Sequence, residues 1–319
     1  MIARRQFIQL FSFALASLAL PSSSRILPSS PREKLPSTQR GELHALSADD
    51  YFIPGKQIKL IGVGGAGCNA VGHMIDCDVQ GLEFICVNTD AAALAKSRAH
   101  INIQLGSSGL GAGSSPILGR EAAAGSEDEI RAAIAGADML FITAGMGGGT
   151  GTGAASVIAR LAKGMGILTL GWVTMPFEFE GDRRLSNALA GLTELQAHVD
   201  ALLVAPNDKL LAILGDEVTQ EELFDYANDM LKHAMVSLIS VINVPSAVNV
   251  DFEDVRNIMR ESGRAVMDSG LARGPSRARI AAEQALAFPL CGGPDLFAFK
   301  GILVVITVAE GTWSYRKSV

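Results

Sequence analysis

A parallel, doubly wound α/β sheet of Rossmann-like type is the fold the sequence predicts, and three patterns carry that expectation. Apolar runs of strand length alternate with helix-length segments from Gln57 onward. The runs are apolar throughout, as in strands covered on both faces. Two dense glycine clusters each stand where a strand would pass into a helix, the place where such sheets hold ligands. Ile58 to Val63 reads as the first strand, Gly64 to Asn69 as a glycine turn and Ala70 to Asp76 as the start of a helix. Leu82 to Asn88 follows as a strand, Ala132 to Ala137 as the end of a helix, and Met139 to Thr143 as the next strand. Ala154 to Lys163 is then a helix and Ile167 to Thr174 a further strand. Glu221 to Ile242 carries apolar residues at Leu223, Ala227, Met230, Leu231, Ala234 and Leu238, the spacing of one helix face, and is expected to be a long central helix. The expected organisation is an apolar stretch and leader over 1–50, the parallel domain over 51–220, the central helix over 221–243, and an incomplete second α+β domain over 244–319.

At 319 residues and 48% hydrophobic, the chain can bury substantial cores, which excludes a disordered or disulfide-stapled class. The formal charge of −6 and the lack of any Lys/Arg-rich run argue against nucleic acid as a partner. The four cysteines, Cys68, Cys77, Cys86 and Cys291, show no C-x-x-C spacing and read as buried free thiols of a reducing compartment.

The first residues have another character. Arg4-Arg5 precedes an apolar stretch from Phe7 to Leu20, and Pro21-Ser22-Ser23-Ser24 follows, which is the layout of a secretory signal with a twin-arginine-like start. As a helix its fourteen residues would span roughly 21 Å, short of the ~30 Å hydrocarbon core, so a cleaved peptide fits better than a permanent anchor. An upstream segment read in from a wrong start is the other reading. Residues 21–50, rich in Ser, Pro and Arg, read as a flexible leader.

The first glycine cluster, Gly62-Val63-Gly64-Gly65-Ala66-Gly67-Cys68-Asn69, leaves free N–H groups at a helix start, where an anion is favoured. It contains G-x-G-x-x-G, and Asp90 lies 23 residues beyond Gly67, so a dinucleotide-binding oxidoreductase stands as an alternative. A tight turn needing glycine for steric reasons is the plainer reading. The second cluster, Gly145-Met146-Gly147-Gly148-Gly149-Thr150-Gly151-Thr152-Gly153, has no use in a dinucleotide fold. Two such loops on neighbouring strand ends can grip a triphosphate from both sides, with backbone amides and the Thr150 and Thr152 hydroxyls as donors.

The order G-G-G-T-G-T-G resembles the signature of the tubulin/FtsZ superfamily, and residues 57 to about 290 resemble the FtsZ family further. The matching segments are Val87-Asn88-Thr89-Asp90, Gly109-Leu110-Gly111-Ala112-Gly113, Pro176-Phe177-Glu178-Phe179-Glu180-Gly181, Pro206-Asn207-Asp208-Lys209-Leu210 and Val248-Asn249-Val250-Asp251-Phe252-Glu253-Asp254. The resemblance implies a GTP-binding and GTP-hydrolysing protein of bacterial cell division, cytoplasmic and at the division site, or exported if the N-terminal signal is genuine. It implies GTP/GDP and Mg²⁺ as cofactors. Gly65, Ala66, Gly67, Cys68 and Asn69, with Gly148, Gly149, Thr150, Gly151 and Thr152, would line the phosphates and nucleoside. Glu180 and Arg184 would stand on the ribose side with Asn207 in the same site, and Phe224 and Asp229 at the guanine. A carboxylate at Asp229 suits guanine because it can accept from both N1–H and N2–H. On spacing alone Asp229 is a residue of the helix's polar face, and Glu180 with Arg184 an ordinary i,i+4 pair.

Catalysis, by the same resemblance, arises between subunits. Asn249, Asp251 and Asp254 would enter the neighbour's nucleotide site and position water, and the partners implied are the chain itself in a head-to-tail filament, other FtsZ-type subunits and septum proteins. Asp251 and Asp254 also read as an N-cap and first-turn acid for a helix Val255 to Met259. The chain departs from the family pattern at Ser246-Ala247, where Gly-Leu is usual, at Cys68, where glycine is usual, and before Gly109, where the loop is short. A truncated second domain is expected, with the strand Gly301 to Val308 lacking partners and tail-dependent membrane tethering in question. A non-hydrolysing paralogue that modulates filaments is the alternative that follows.

Overall fold

The computed structural model describes residues 7–16, 56–215, 218–243, 252–260, 263–286 and 299–308. Its strands are β1 (Phe7–Ala16), β2 (Ile58–Val63), β3 (Glu83–Asn88), β4 (Ile101–Gln104), β5 (Met139–Gly145), β6 (Leu168–Met175), β7 (Ala201–Pro206), β8 (Gly263–Arg273) and β9 (Phe299–Val308). The helices are α1 (Gly64–Asp76), α2 (Ala91–Leu94), α3 (Pro116–Gly125), α4 (Glu127–Ile134), α5 (Thr150–Gly164), α6 (Asp182–Gln196), α7 (Asn207–Leu214), α8 (Gln220–Asn243), α9 (Phe252–Arg260) and α10 (Arg277–Leu286).

The apolar runs are continuous because helices cover both faces of the sheet they build. Leu60, Phe84, Phe141 and Trp172 enter one core with Val71 and Met74 of α1 and with Leu231, Met235 and Leu238 of α8. Their strand neighbours Ile61, Ile85, Ile142 and Val173 enter the opposite core, with Ile130 and Ile134 of α4, Ile158 and Leu161 of α5, and Leu192 and Leu195 of α6. The period-2 geometry of strands makes this split.

Strands β4-β3-β2-β5-β6-β7 are parallel neighbours in that order. The chain lays down β2, β3 and β4 outward in one direction, then returns to place β5 on the other side of β2. The reversal lies between β2 and β5, and the two glycine clusters stand where the chain leaves those two strands. A topological switch point is where open α/β sheets form their ligand crevice.

Beyond β7 the sheet continues through β8, parallel to β7 at Ala201↔Gly263 and Leu202↔Arg264. β1 then lies between β8 and β9, antiparallel to both, from Phe7↔Arg273 to Ala16↔Arg264 and from Ile8↔Val308 to Leu15↔Gly301. Two expectations are corrected here. The stretch read as an apolar signal helix is extended over Phe7–Ala16, and the strand expected to lack partners is paired. The physical reason is shared: β1 answers the edge hydrogen-bonding groups of β8 and β9 while having both its own edges satisfied.

α8 is 24 residues long, about 36 Å at helical rise. It starts in a capping box, with Thr219 N donating to Glu222 Oε2 (2.9 Å) and Glu222 N to Thr219 Oγ1 (3.2 Å). α9 buries Phe252, Val255 and Met259 on one face. The Lys56 ammonium, just before β2, sits 5.2 Å from the centre of the Phe252 ring. α9 therefore lies at the start of β2, about 20 Å of strand away from the glycine turn at its other end. No helix among the described residues is long and apolar enough to cross a membrane.

Candidate nucleotide site at the switch point

β2 runs directly into α1, so Gly64–Asn69, expected as a turn before a helix starting at Ala70, already form the first turns of that helix, whereas β5 reaches α5 through Met146–Gly149. Neither helix receives a side-chain cap, and neither has an acidic residue in its first turn. Their first N–H groups and positive ends are thus left for an anion between them. The two loops are wedged together: a Cβ on Gly67 would come within 2.4 Å of the Thr143 carbonyl, and one on Gly151 within 2.5 Å of the Gly145 carbonyl. At Gly65 and Gly148, by contrast, a Cβ would meet nothing within 4 Å. Backbone is brought close at the base of the crevice and left open at its lip.

The threonine hydroxyls serve the loops themselves. Thr150 Oγ1 is 2.6 Å from Thr89 Oγ1, joining the end of β3 to the second loop, and Thr152 Oγ1 accepts from Gly147 N at 2.9 Å. Both threonines are buried. Asp90, the acid required by the dinucleotide alternative, caps α2: its Oδ1 accepts from Ala92 N at 2.9 Å and Ala93 N at 3.0 Å. Cys68 faces inward, its thiol 3.7 Å from the Gly62 carbonyl oxygen and 3.8 Å from that of Val87. The neighbouring Cys86 thiol and burial push its pKa up, so it remains a neutral thiol.

A 3-10 turn at Glu178–Glu180 and the start of α6 close one side. Glu180 Oε1 accepts from Phe177 N at 3.0 Å while its other oxygen pairs with Arg184. A Cβ on Gly147 would lie 2.9 Å from the Arg184 carbonyl, which sets the first turn of α6 against the second glycine loop. Asp208 Oδ1 accepts from Glu178 N at 3.1 Å and brings the start of α7 to the same turn. There Asn207 is buried, with no hydrogen-bond partner for its Oδ1 among the described residues. A buried orphan acceptor in a crevice is a place for a ligand or water donor.

α8 supplies the far edge. Phe224 is half-exposed and meets the buried Phe177 ring edge-on at 5.9 Å, and Phe177 stacks on Phe179 at 4.8 Å. Asp229 turns toward α1, where its Oδ1 accepts from His73 Nε2 at 3.0 Å and Lys232 Nζ at 2.5 Å. Burial works to raise its pKa, but Lys232 and His73 hold it below the usual carboxylate range. Asn228 stands i+4 from Phe224 and shares its face of α8, a residue that sequence reading passed over although the spacing was visible.

Residues 57–215 match the family described as Tubulin/FtsZ family, GTPase domain. The cell division protein FtsZ of Neisseria meningitidis serogroup A is 50% identical over 258 residues, covering 80% of this chain and 66% of that protein. A solved structure of an empty FtsZ dimer from M. jannaschii is 40% identical with a TM-score of 0.69, over 74% of this chain and 69% of that one. The chain belongs to the tubulin/FtsZ family. CetZ2 from Haloferax volcanii, solved as a GTPγS-bound protofilament, is similar at 26% identity and a TM-score of 0.58, over 65% of this chain and 64% of that one. The chain spans 66% of the length of the N. meningitidis FtsZ.

In this tubulin/FtsZ fold the residues expected to act in catalysis stand apart from the glycine loops. Asn249 and Asp251 lie outside the described residues, as do Ser246 and Ala247. Asp254 is exposed in the first turn of α9. Since α9 packs at the start of β2 and the loops lie beyond its end, the acid and the crevice occupy opposite ends of the sheet.

Proposed function

We propose that this chain binds GTP in the crevice between the β2–α1 and β5–α5 loops and hydrolyses it within head-to-tail filaments of bacterial cell division. The observation that carries the reading is the opposition of the two ends: uncapped glycine loops at one, Asp254 exposed at the other. Within one chain they do not meet. Stacked in one direction, the acid end of one copy comes to the crevice of the next, and repetition gives an open polymer.

The free N–H groups at the start of α1, those of Gly65 and Ala66 among them, and those of Gly148 to Thr152 present the backbone donors for the phosphates, with Gly67, Cys68 and Asn69 completing the same turn. Glu180, Arg184 and Asn207 form the nucleoside side, the orphan Asn207 Oδ1 fitting a ligand hydroxyl or N–H. Phe224 offers a stacking face for the base. Asp229 Oδ1 is engaged by His73 and Lys232, which leaves its Oδ2 and the Asn228 side chain to read guanine N–H groups. The incoming Asn249, Asp251 and Asp254 orient a water for attack on the γ-phosphorus, releasing GDP and phosphate. Mg²⁺ suits the phosphate oxygens, and its chemistry is to neutralise charge that develops there. The setting that goes with this role is the cytoplasmic face of the division site, with other FtsZ-type subunits and septum proteins as partners.

The test is GTP turnover measured across protein concentration, with bound nucleotide quantified in parallel. Turnover per chain that rises with concentration and disappears in Asp254→Ala supports a site formed between copies. Bound GTP without turnover at any concentration would reduce the reading to a nucleotide-binding paralogue.

A further inference from the structure

We infer that His73, Cys77 and Asp229 form a binding site for a divalent transition metal of the zinc class, joining α1 to α8. One donor atom from each lies within 4.8 Å of the others. His73 lies in the last turn of α1 and Cys77, i+4 from it, at the helix's C-cap, while Asp229 comes across from α8. Two of the three spacings straddle a tetrahedron's edge, and the third, Cys77 to Asp229, is within 4.8 Å and must shorten. Cys77 Sγ is 3.8 Å from His73 Nε2, and His73 Nε2 is 3.0 Å from Asp229 Oδ1. Metal bonds of roughly 2.0–2.3 Å at tetrahedral angles set donors about 3.3–3.6 Å apart, so small side-chain rotations close the site.

The donor set decides the metal class. A thiol, an imidazole and a carboxylate suit zinc-type ions, whereas magnesium and calcium take oxygen donors throughout. A cation is already drawn to the same place. Lys232 Nζ lies 2.5 Å from Asp229 Oδ1 and 3.6 Å from Cys77 Sγ. Its long stem lets it swing to solvent as the metal enters, and the exposure of Cys77 provides the path. Three protein donors leave a fourth position for water. The site lies nine residues along α1 from Gly64, about 13 Å, so it is separate from metal held on nucleotide phosphates.

Cobalt(II) alone, titrated into the nucleotide-free full chain, reports the site without reference to GTP. The expected result is one equivalent bound with the visible bands of tetrahedral cobalt and a near-ultraviolet thiolate-to-cobalt band, all removed by zinc. Cys77→Ser, at an exposed position, should keep the fold and lose the thiolate band, with Cys68, Cys86 and Cys291 still present as internal controls. His73→Ala should weaken binding at least tenfold, and Lys232→Gln should tighten it severalfold by removing the competing cation. No thiolate band in the wild-type chain, or an equal band in Cys77→Ser, overturns the assignment.

Discussion

The two ends of the sheet are built by different means. At the carboxyl ends of β2 and β5 the candidate site is mostly backbone: glycines packed so closely that a methyl group would strike a carbonyl, and helix N–H groups left without side-chain caps. At the opposite end what is offered is a side chain, Asp254, exposed in the first turn of α9. A backbone-built crevice can be complete within one copy, because the fold alone creates it. Under the proposed function, a carboxylate on the far surface acquires its task only when another copy arrives. Binding and turnover are therefore expected to separate cleanly under mutation.

The largest effect should come from Asp254→Ala. We expect a fall in GTP turnover of about 100-fold or more, the scale for removing a charged group aimed at a transition state, with GTP affinity within about twofold of the parent. Equilibrium binding and steady-state phosphate release on the same preparation check this. Equal losses in both would break the division between the two ends.

Next is a pair within the crevice. Gly67→Ala forces a Cβ toward the Thr143 carbonyl and should cost roughly 1–3 kcal/mol of stability, with GTP binding lost alongside. Gly65→Ala meets nothing in the protein within 4 Å and should leave the denaturation midpoint unchanged while weakening GTP, since the added methyl stands where the phosphates approach. Denaturant melts with and without GTP separate the two. A Gly65→Ala chain that binds normally would mean the open lip is not the phosphate side. A smaller loss, about tenfold in GTP affinity, is expected from Phe224→Ala as a stacking face is removed.

Much of this was legible in local sequence. β2, β3, β5 and β6 follow from their apolar runs to within two residues, and α8 from its 3.6-residue spacing. β7 does not stand out in the sequence because its short apolar run ends at Pro206, and β4 because Ile-Asn-Ile-Gln is four residues with a polar alternation. The glycine loops were identified as a site, but the roles of Thr150 and Thr152 were not, because their partners Thr89 and Gly147 are fixed by how β3 and the loops meet. Asp229 shows the limit most plainly. Its partner His73 is 156 residues away in sequence, and only the packing of α1 on α8 joins them. Cys77 was read through C-x-x-C spacing, whereas its companion is the histidine one helical turn earlier.

The smallest effect is expected at the start of α8. Thr219 caps that helix and Glu222 reaches back to it, so Thr219→Ala should cost about 1 kcal/mol without touching either end of the sheet. The Thr219 N–H, then its hydroxyl, holds the Glu222 carboxyl below the usual glutamate range. A depressed folded-state pKa means that this support is fully present above the unfolded value of about 4.3 and fades as pH falls through the folded one. Stability curves of the parent chain and Glu222→Gln should therefore run apart at neutral pH and converge only as pH falls through the lowered folded-state pKa, while GTP affinity at pH 7 stays the same in both. If affinity moved with the cap, the cap would be acting on the crevice through Phe224, one turn further along α8, and the crevice would extend to the first residue of that helix.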